Sequence, residues 1–362
     1  MKMFLSLFLI LKSNFKGLVF TACIVAFSFY LSSIPSIKEN THLAATAFAI
    51  IIGVLFSPYF FKYQHHLRVG VHFSAKKLLK LGIILYGFNI TLNELLNVGI
   101  WGFLLSFIVI LIIFLIAVFV GVKILKLDKE TSMLVGAGSA ICGAAAVLAL
   151  ESSLKSDASK GVLAVGSVVV FGLIFMFLYP VLFSLDFLNL NENAMGIFMG
   201  VTLHEVANVV GATQIAKDMV GFSQNAANLA VIIKMMRVIL LVPFLLIVAY
   251  VITKTQKKEG KNSFKKITIP YFALIFLFII MLNTYLFHQE KFLGIYTQDI
   301  INAMKMLCNI CIVFAMAALG LQVDFKNFIK SGLRVFVLAL ILSLVLFFGG
   351  YFLVLEFQAV LC

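Results

Sequence analysis

The chain has 362 residues, of which 63% are hydrophobic and only 12% are charged. This apolar content exceeds what one globular core absorbs, and the apolar runs are long enough to cross a bilayer as helices. The composition therefore excludes a soluble globular protein, and the lack of short alternating strands between turns excludes an outer-membrane barrel.

The formal net charge of +13 comes from Lys and Arg residues that cluster in short loops between apolar runs. This distribution follows the positive-inside rule and argues against nucleic-acid binding. Five cysteines lie in apolar runs or at the chain end, so neither a disulfide framework nor a metal site is expected. We expect no cofactor.

The apolar runs predict an all-α polytopic membrane protein. Residues 1–17 are expected to form an N-terminal interfacial segment or a lead-in to the first span, and residues 18–357 a single transmembrane domain. Eleven membrane segments, numbered in chain order, are predicted at residues 18–34, 43–61, 78–93, 99–125, 132–150, 160–185, 196–216, 223–252, 267–287, 300–322 and 333–357.

Loop charges orient these segments. The Lys-rich loops 62–80 and 254–266 should be cytoplasmic, whereas the loops 186–195 and 288–299, with one Lys between them, should be outside. All loops obey the charge rule only if segments 5 and 7 are re-entrant or broken within the membrane.

Internal repetition supports this arrangement. Gly87–Gly99 aligns without gaps on Gly320–Gly332, and a weaker match relates segments 5 and 6 to segments 7 and 8. The loop charges give the first two copies opposite orientations, and they do the same for the second two if segments 5 and 7 are re-entrant or broken. The sequence therefore predicts inverted repeats, about 43–185 and 196–357, which are typical of secondary transporters.

The stretch Gly136–Ala146 consists almost entirely of small residues. Small residues allow close helix approach, and they also allow the backbone to unwind where it lines a cavity. Packing alone would explain this stretch. If it lines a site, we expect Gly138, Ser139, Cys142 and Gly143 to supply substrate-binding donors for an anion.

A polar triplet, His204, Glu205 and Asn208, interrupts the apolar segment 7. It resembles the HExxH zinc motif, but Asn208 replaces the second histidine, so a metal site and a metalloprotease are disfavoured. We expect His204 and Glu205 to form a proton-coupling pair and Asn208 to contact substrate. The alternative is that Glu205 only neutralises a cation of a neighbouring helix.

Lys234 and Arg237 lie three residues apart on one face of segment 8, near its middle. They outnumber the nearby glutamate, so we expect them to bind an anionic substrate, with Arg237 making bidentate oxyanion contacts. Snorkelling to an interface is the alternative for either side chain. Asn89, Asn228 and Gln322 are secondary candidates.

Together the motifs resemble the YeiH-type sulfate exporter family of bacterial inner-membrane proteins. The resemblance is carried by Gly87–Leu92, Gly136–Gly143, His204–Gly211, Lys234–Arg237 with Pro243, and Ala318–Asp324. It implies a fold related to bile-acid symporters and cation–proton antiporters, with two broken segments meeting at the midplane, and a sulfur oxyanion as substrate. The family pattern more often has Gln where this chain has Asn208, which could alter substrate preference.

The leading hypothesis is a proton-coupled carrier, not an enzyme, that exports a small anion such as sulfate or sulfite. Two alternatives remain: a sodium-coupled organic-anion carrier with Asn208, Ser139 and unwound carbonyls as Na⁺ ligands, and an intramembrane enzyme using His204 and Glu205. The expected partners are the anion, H⁺ or Na⁺, and the lipid bilayer. Any homo-oligomer is expected to form through lipid-facing surfaces.

Overall fold

The computed structural model describes residues 2–34, 45–154, 156–256, 271–287, 289, 291–292, 295–322 and 332–361. These residues are almost entirely helical, as the composition predicts, because a helix satisfies its own backbone hydrogen bonds in hydrocarbon. The only strands within them are the two-residue β1, Lys291–Phe292, and β2, Ile295–Tyr296, which pair antiparallel.

The first half of the chain contains nine helices in its described part. They are α1 Lys2–Ser33, α2 Ala45–Leu55, α3 Ser57–Lys62, α4 Gln64–Phe73, α5 Leu79–Tyr86, α6 Leu92–Phe119, α7 Lys129–Ala137, α8 Ala144–Leu154 and α9 Ala158–Ser184. Wider π-helical turns follow α4, α6 and α7, at Ser74–Leu78, Val120–Ile124 and Gly138–Cys142.

The second half continues with α10 Glu192–Thr202, α11 Val206–Val220, α12 Gln224–Gln256, α13 Tyr271–Phe287, α14 Thr297–Leu321 and α15 Leu333–Leu361. The predicted loop 254–266 lies mostly outside the described residues, as do residues 323–331 of the second repeat copy.

Six helices in the described part of the chain are long and apolar enough to cross a membrane. They are Phe15–Ser33, Leu92–Ile124, Ser159–Ser184, Gln224–Val248, Thr297–Leu321 and Leu333–Phe357. The other predicted segments are shorter helices or are interrupted, so the predicted number of eleven is not confirmed. The N-terminal residues are continuous with the first apolar run, because α1 extends unbroken from Lys2 to Ser33.

The helices fall into two compact units, and each unit draws on both halves of the chain. The first unit comprises Met1–Leu92, Gln214–Gly221 and Ile275–Asp324, and the second comprises Asn93–Thr213, Phe222–Leu274 and Phe325–Cys362. In the first unit, α14 packs against α2 and α5. The α2–α14 contact is close because Gly53 faces the Ala317 carbonyl and Gly320 faces the Ile50 carbonyl, where any Cβ would collide.

In the second unit, α10 packs between α12 and α15. Gly196 and Gly200 of α10 lie against the Ala226 and Ala230 carbonyls of α12, and a Cβ on Gly200 would lie 2.5 Å from the Ala230 oxygen. The small residues therefore bring the two helices into backbone contact. One turn beyond Ala230 is Lys234, which this contact holds beside the end of α10.

The start of α7 is fixed by Asp128, whose carboxylate accepts hydrogen bonds from the Thr131 N–H (3.0 Å) and hydroxyl (2.7 Å). Lys160, at the start of α9, forms ion pairs with Asp128 and Glu130, both at 2.9 Å. Partial burial raises the pKa of Asp128, but the hydrogen bonds from Thr131 and Lys160 outweigh burial and hold it below its ordinary value. These ion pairs link the N-terminal ends of α7 and α9.

Candidate functional site

Both stretches that the sequence predicts to be broken do leave the helical conformation. After the π turn Gly138–Cys142, Gly143 adopts φ +56° and ψ −128°, and α8 begins at the next residue. The chain turns back sharply there, since a Cβ on Gly138 would lie 2.8 Å from the Val147 side chain. The second break follows α10, where Leu203 is extended before α11 begins at Val206.

Arg237 of α12 is fully buried and donates only to backbone carbonyls at these two breaks. Its Nε lies 3.0 Å from the Ala140 oxygen, and its Nη2 donates to Ala140 and, at 2.9 Å, to Ser139. Its Nη1 donates to Val201 and, at 3.3 Å, to Leu203. All five N–H groups of the guanidinium are thus used. The bidentate oxyanion contact predicted for Arg237 would require some of these bonds to open.

Lys234, one turn earlier on α12, is also fully buried. Its Nζ lies 2.7 Å from the Ile141 oxygen and 2.6 Å from the Leu203 oxygen. The ammonium therefore bridges the last carbonyls of one broken helix to those of the other. An ammonium has three N–H groups, so one remains after these two bonds.

The carbonyls that these two cations contact share one property: each lies at the C-terminal end of a helix. The last carbonyls of a helix have no N–H of a following turn, and together they carry about half a negative charge. Arg237 and Lys234 supply both the missing donors and the opposite charge. Their burial is explained by this pairing, and snorkelling to an interface is excluded by their zero exposure.

Glu205 has the complementary position at a helix N-terminus. Its Oε1 accepts a hydrogen bond from the N–H of Ala144, the first residue of α8, at 3.0 Å. A carboxylate there is favoured by the partial positive charge of the helix start. A Cβ on Gly143 would collide with the Glu205 carboxylate, so glycine is required both by the backbone angle and by this contact.

His204 points to a different neighbour, Ser343 of α15. Its Nε2 lies 3.2 Å from Ser343 Oγ, and that hydroxyl also donates to the Ala339 carbonyl at 2.8 Å. Because the hydroxyl proton is used on Ala339, the Ser343 oxygen accepts from His204 Nε2–H. The neutral ring then has its proton on Nε2 and an acceptor at Nδ1.

Three buried polar atoms near the breaks have no hydrogen-bond partner among the described residues. They are Ser139 Oγ, His204 Nδ1 and Asn208 Nδ2. The amide of Asn208 lies against Gly172 of α9, where a Cβ would collide with it. Buried polar groups are normally paired, so these three are the atoms of the site most open to a new partner.

The structure thus brings the primary candidates together around the two breaks. It engages Gly143 differently from the prediction, since its N–H donates to the Gly138 carbonyl within the turn at 2.9 Å. Asn228 donates to Glu94 at 2.8 Å, and Glu94 was not identified from the sequence. Asn89 and Gln322 belong to the other unit, where they bond the Tyr86 and Ala318 carbonyls.

The contacts of Ser343 and Gly172 with the site were not predicted either, because a lone serine or glycine in an apolar helix carries no distinctive signal. In the part of the chain that the structure describes, no three His, Cys, Asp or Glu side chains come together to hold a metal ion.

Comparison with known proteins places the chain in a family. The family model described as Conserved hypothetical protein 698 matches residues 16–339. The chain is 71% identical over 353 residues to the UPF0324 membrane protein Cj0999c of Campylobacter jejuni, covering 97% of each chain. It is 43% identical over 354 residues to a UPF0324 membrane protein of Helicobacter hepaticus, covering 94% of this chain and 98% of the relative.

A third relative, the UPF0324 inner membrane protein YeiH of Escherichia coli, is 38% identical over 339 residues, with 92% of this chain and 91% of the relative covered. No solved structure matches the chain. The match to YeiH confirms the family resemblance inferred from the motifs.

Proposed function

The chain belongs to the UPF0324 family of membrane proteins, and we propose that it is a secondary transporter rather than an enzyme. From its buried charges we infer that it exports a small inorganic anion such as sulfate or sulfite in a proton-coupled cycle. The family members include proteins named as inner membrane proteins, and the six apolar helices make this chain a multi-pass protein of the same membrane.

The observation that carries the proposal is the pair of broken helices whose ends contact buried charged side chains. Secondary transporters bind substrates and coupling ions at discontinuous helices, where free N–H and carbonyl groups are available within the membrane. Ionisable groups are costly in a bilayer, and four of them are buried at these breaks, namely His204, Glu205, Lys234 and Arg237. Their burial there favours a functional role over a purely structural one.

We also propose the finer architecture, an inverted repeat with eleven segments, and the order of the elements supports its repeat. Each broken pair is followed by a long helix with an internal proline, α9 with Pro180 and α12 with Pro243. This order, broken pair then proline-containing helix, occurs twice in succession, as the weaker of the two sequence matches predicts.

The charge balance of the site favours an anion. Arg237 and Lys234 bring two positive charges when both are protonated, and Glu205 brings one negative charge. The partial negative charges of the two helix C-terminal ends offset part of this excess, and the partial positive charges at the starts of α8 and α11 add to it. The remaining positive charge attracts an anion, for which Ser139 Oγ, Asn208 Nδ2 and the third N–H of Lys234 are the proposed donors. Protonation of Glu205 or His204 would increase the excess and strengthen anion binding, which would couple the anion to protons.

The test is radiolabelled sulfate or sulfite flux in proteoliposomes with an imposed pH gradient. We expect wild-type flux to follow the gradient. Glu205→Gln should retain anion exchange but lose the response to the gradient, because an amide cannot be deprotonated. Glu356→Gln, which changes an exposed carboxylate of the same unit, is the matched control and should behave as wild type. Absence of flux in wild type would contradict the proposal, and so would an unchanged pH response in both Glu205→Gln and His204→Gln.

A further inference from the structure

The buried ammonium of Lys234 has an unusual set of partners. It contacts the Ile141 and Leu203 carbonyls, which end two different helices, at 2.7 and 2.6 Å. Two carbonyl oxygens that converge from separate chain segments at such distances form part of a coordination shell for a positive charge. Backbone carbonyls form the same kind of shell around alkali cations, replacing the water of hydration.

Arg237 does not fill this position. Its guanidinium contacts the carbonyls that precede Ile141 and Leu203, namely Ser139, Ala140 and Val201, and it shares only Leu203 with Lys234. Without Lys234 the Ile141 carbonyl would lose the ammonium, and Leu203 would retain one donor at 3.3 Å. The two side chains therefore contact largely different carbonyls of the same two helix ends.

In transporters with discontinuous helices, Na⁺ is held by carbonyls of the unwound backbone and of half-helix C-terminal ends. We propose that the Lys234 ammonium is a tethered cation at such a position, which makes the protein independent of Na⁺, and that removal of this side chain opens a site for a monovalent alkali cation. The inference extends the proposed function to its ion requirement. It contradicts the sodium-coupled alternative, whose carbonyl ligands are already occupied.

The experiment is thermal unfolding of the detergent-purified full chain in NaCl, KCl or choline chloride at equal ionic strength and pH. Wild type and Lys123→Ala, which removes an exposed lysine of the same unit, should have the same Tm in all three salts. Lys234→Ala should have a lower Tm in choline, and Na⁺ or K⁺ should raise it by a few degrees with a saturable concentration dependence.

Lys234→Gln provides a second variant, since its amide keeps a donor for one carbonyl and should help the protein fold. Its Tm should rise less with Na⁺ or K⁺ than that of Lys234→Ala. A saturable, Na⁺-specific stabilisation of wild type would overturn the inference, and so would a folded variant at this position without any cation response. Because the readout is binding and needs no anion, its failure is distinguishable from absence of sulfate or sulfite flux.

Discussion

Replacing Arg237 with methionine removes five N–H donors and a positive charge while keeping an unbranched side chain. The carbonyls of Ser139, Ala140 and Val201 then lose the guanidinium, whereas Leu203 keeps Lys234. A buried acceptor that loses its donor costs about 1–3 kcal/mol, so three such carbonyls give roughly 3–9 kcal/mol. Removal of a buried charge offsets part of this cost, and we expect a net loss of about 3–5 kcal/mol in the free energy of unfolding.

The assay is equilibrium unfolding of the purified protein in mixed detergent micelles, with SDS as the denaturant. Arg334→Met is the matched control, because Arg334 is exposed at the start of α15 in the same unit. We expect this control to change the free energy of unfolding by less than about 0.5 kcal/mol. Arg237→Lys, which keeps the charge but has three donors instead of five, should fall between wild type and Arg237→Met.

Anion flux measured on the same variants separates the two roles that Arg237 has been given. If Arg237 acts as the donor for helix ends, Arg237→Met loses stability and flux together. An Arg237→Met protein with wild-type stability and no flux would refute this reasoning, and it would favour direct anion contact by the guanidinium.

Two further substitutions test the geometry of the breaks. Gly143→Ala should lower the free energy of unfolding by at least about 1–3 kcal/mol, because φ is +56° and the new Cβ would collide with the Glu205 carboxylate. Gly349→Ala, which has open space around its Cα, should leave this free energy unchanged or raise it. Equal effects of the two substitutions in thermal unfolding would contradict the described break. Asp128→Ala should cost about 1 kcal/mol of capping at neutral pH. The pKa of Asp128 is lowered in the folded protein, so its carboxylate stabilises the fold above the unfolded pKa of about 4, and this stabilisation disappears as the pH falls through the folded pKa. Plots of Tm against pH for wild type and Asp128→Ala should therefore converge in acid. A Tm difference that stays constant with pH would refute this.

The helical membrane class, the two helix breaks and the cations that belong to the site were predictable from residue types. Long apolar runs require helices, because only helices satisfy the backbone locally in hydrocarbon. The glycines of Gly136–Ala146 and the polar triplet at His204 mark the breaks, since neither pattern suits an uninterrupted apolar helix. The number of spans was less predictable: runs such as 132–150 are apolar enough to count as spans, yet a single positive φ at Gly143 divides this one.

Residue types placed these charges within apolar segments, but their burial and their contacts depend on how the helices pack. Arg237, Lys234 and Glu205 meet backbone atoms of residues about 30 to 100 positions away, namely helix-end carbonyls and the Ala144 N–H. Every residue has a carbonyl, so no side-chain pattern indicates which carbonyls a buried cation will contact. That choice depends on where the helices end and how closely α10 and α12 approach, which is fixed by Gly196 and Gly200 packing against the α12 backbone.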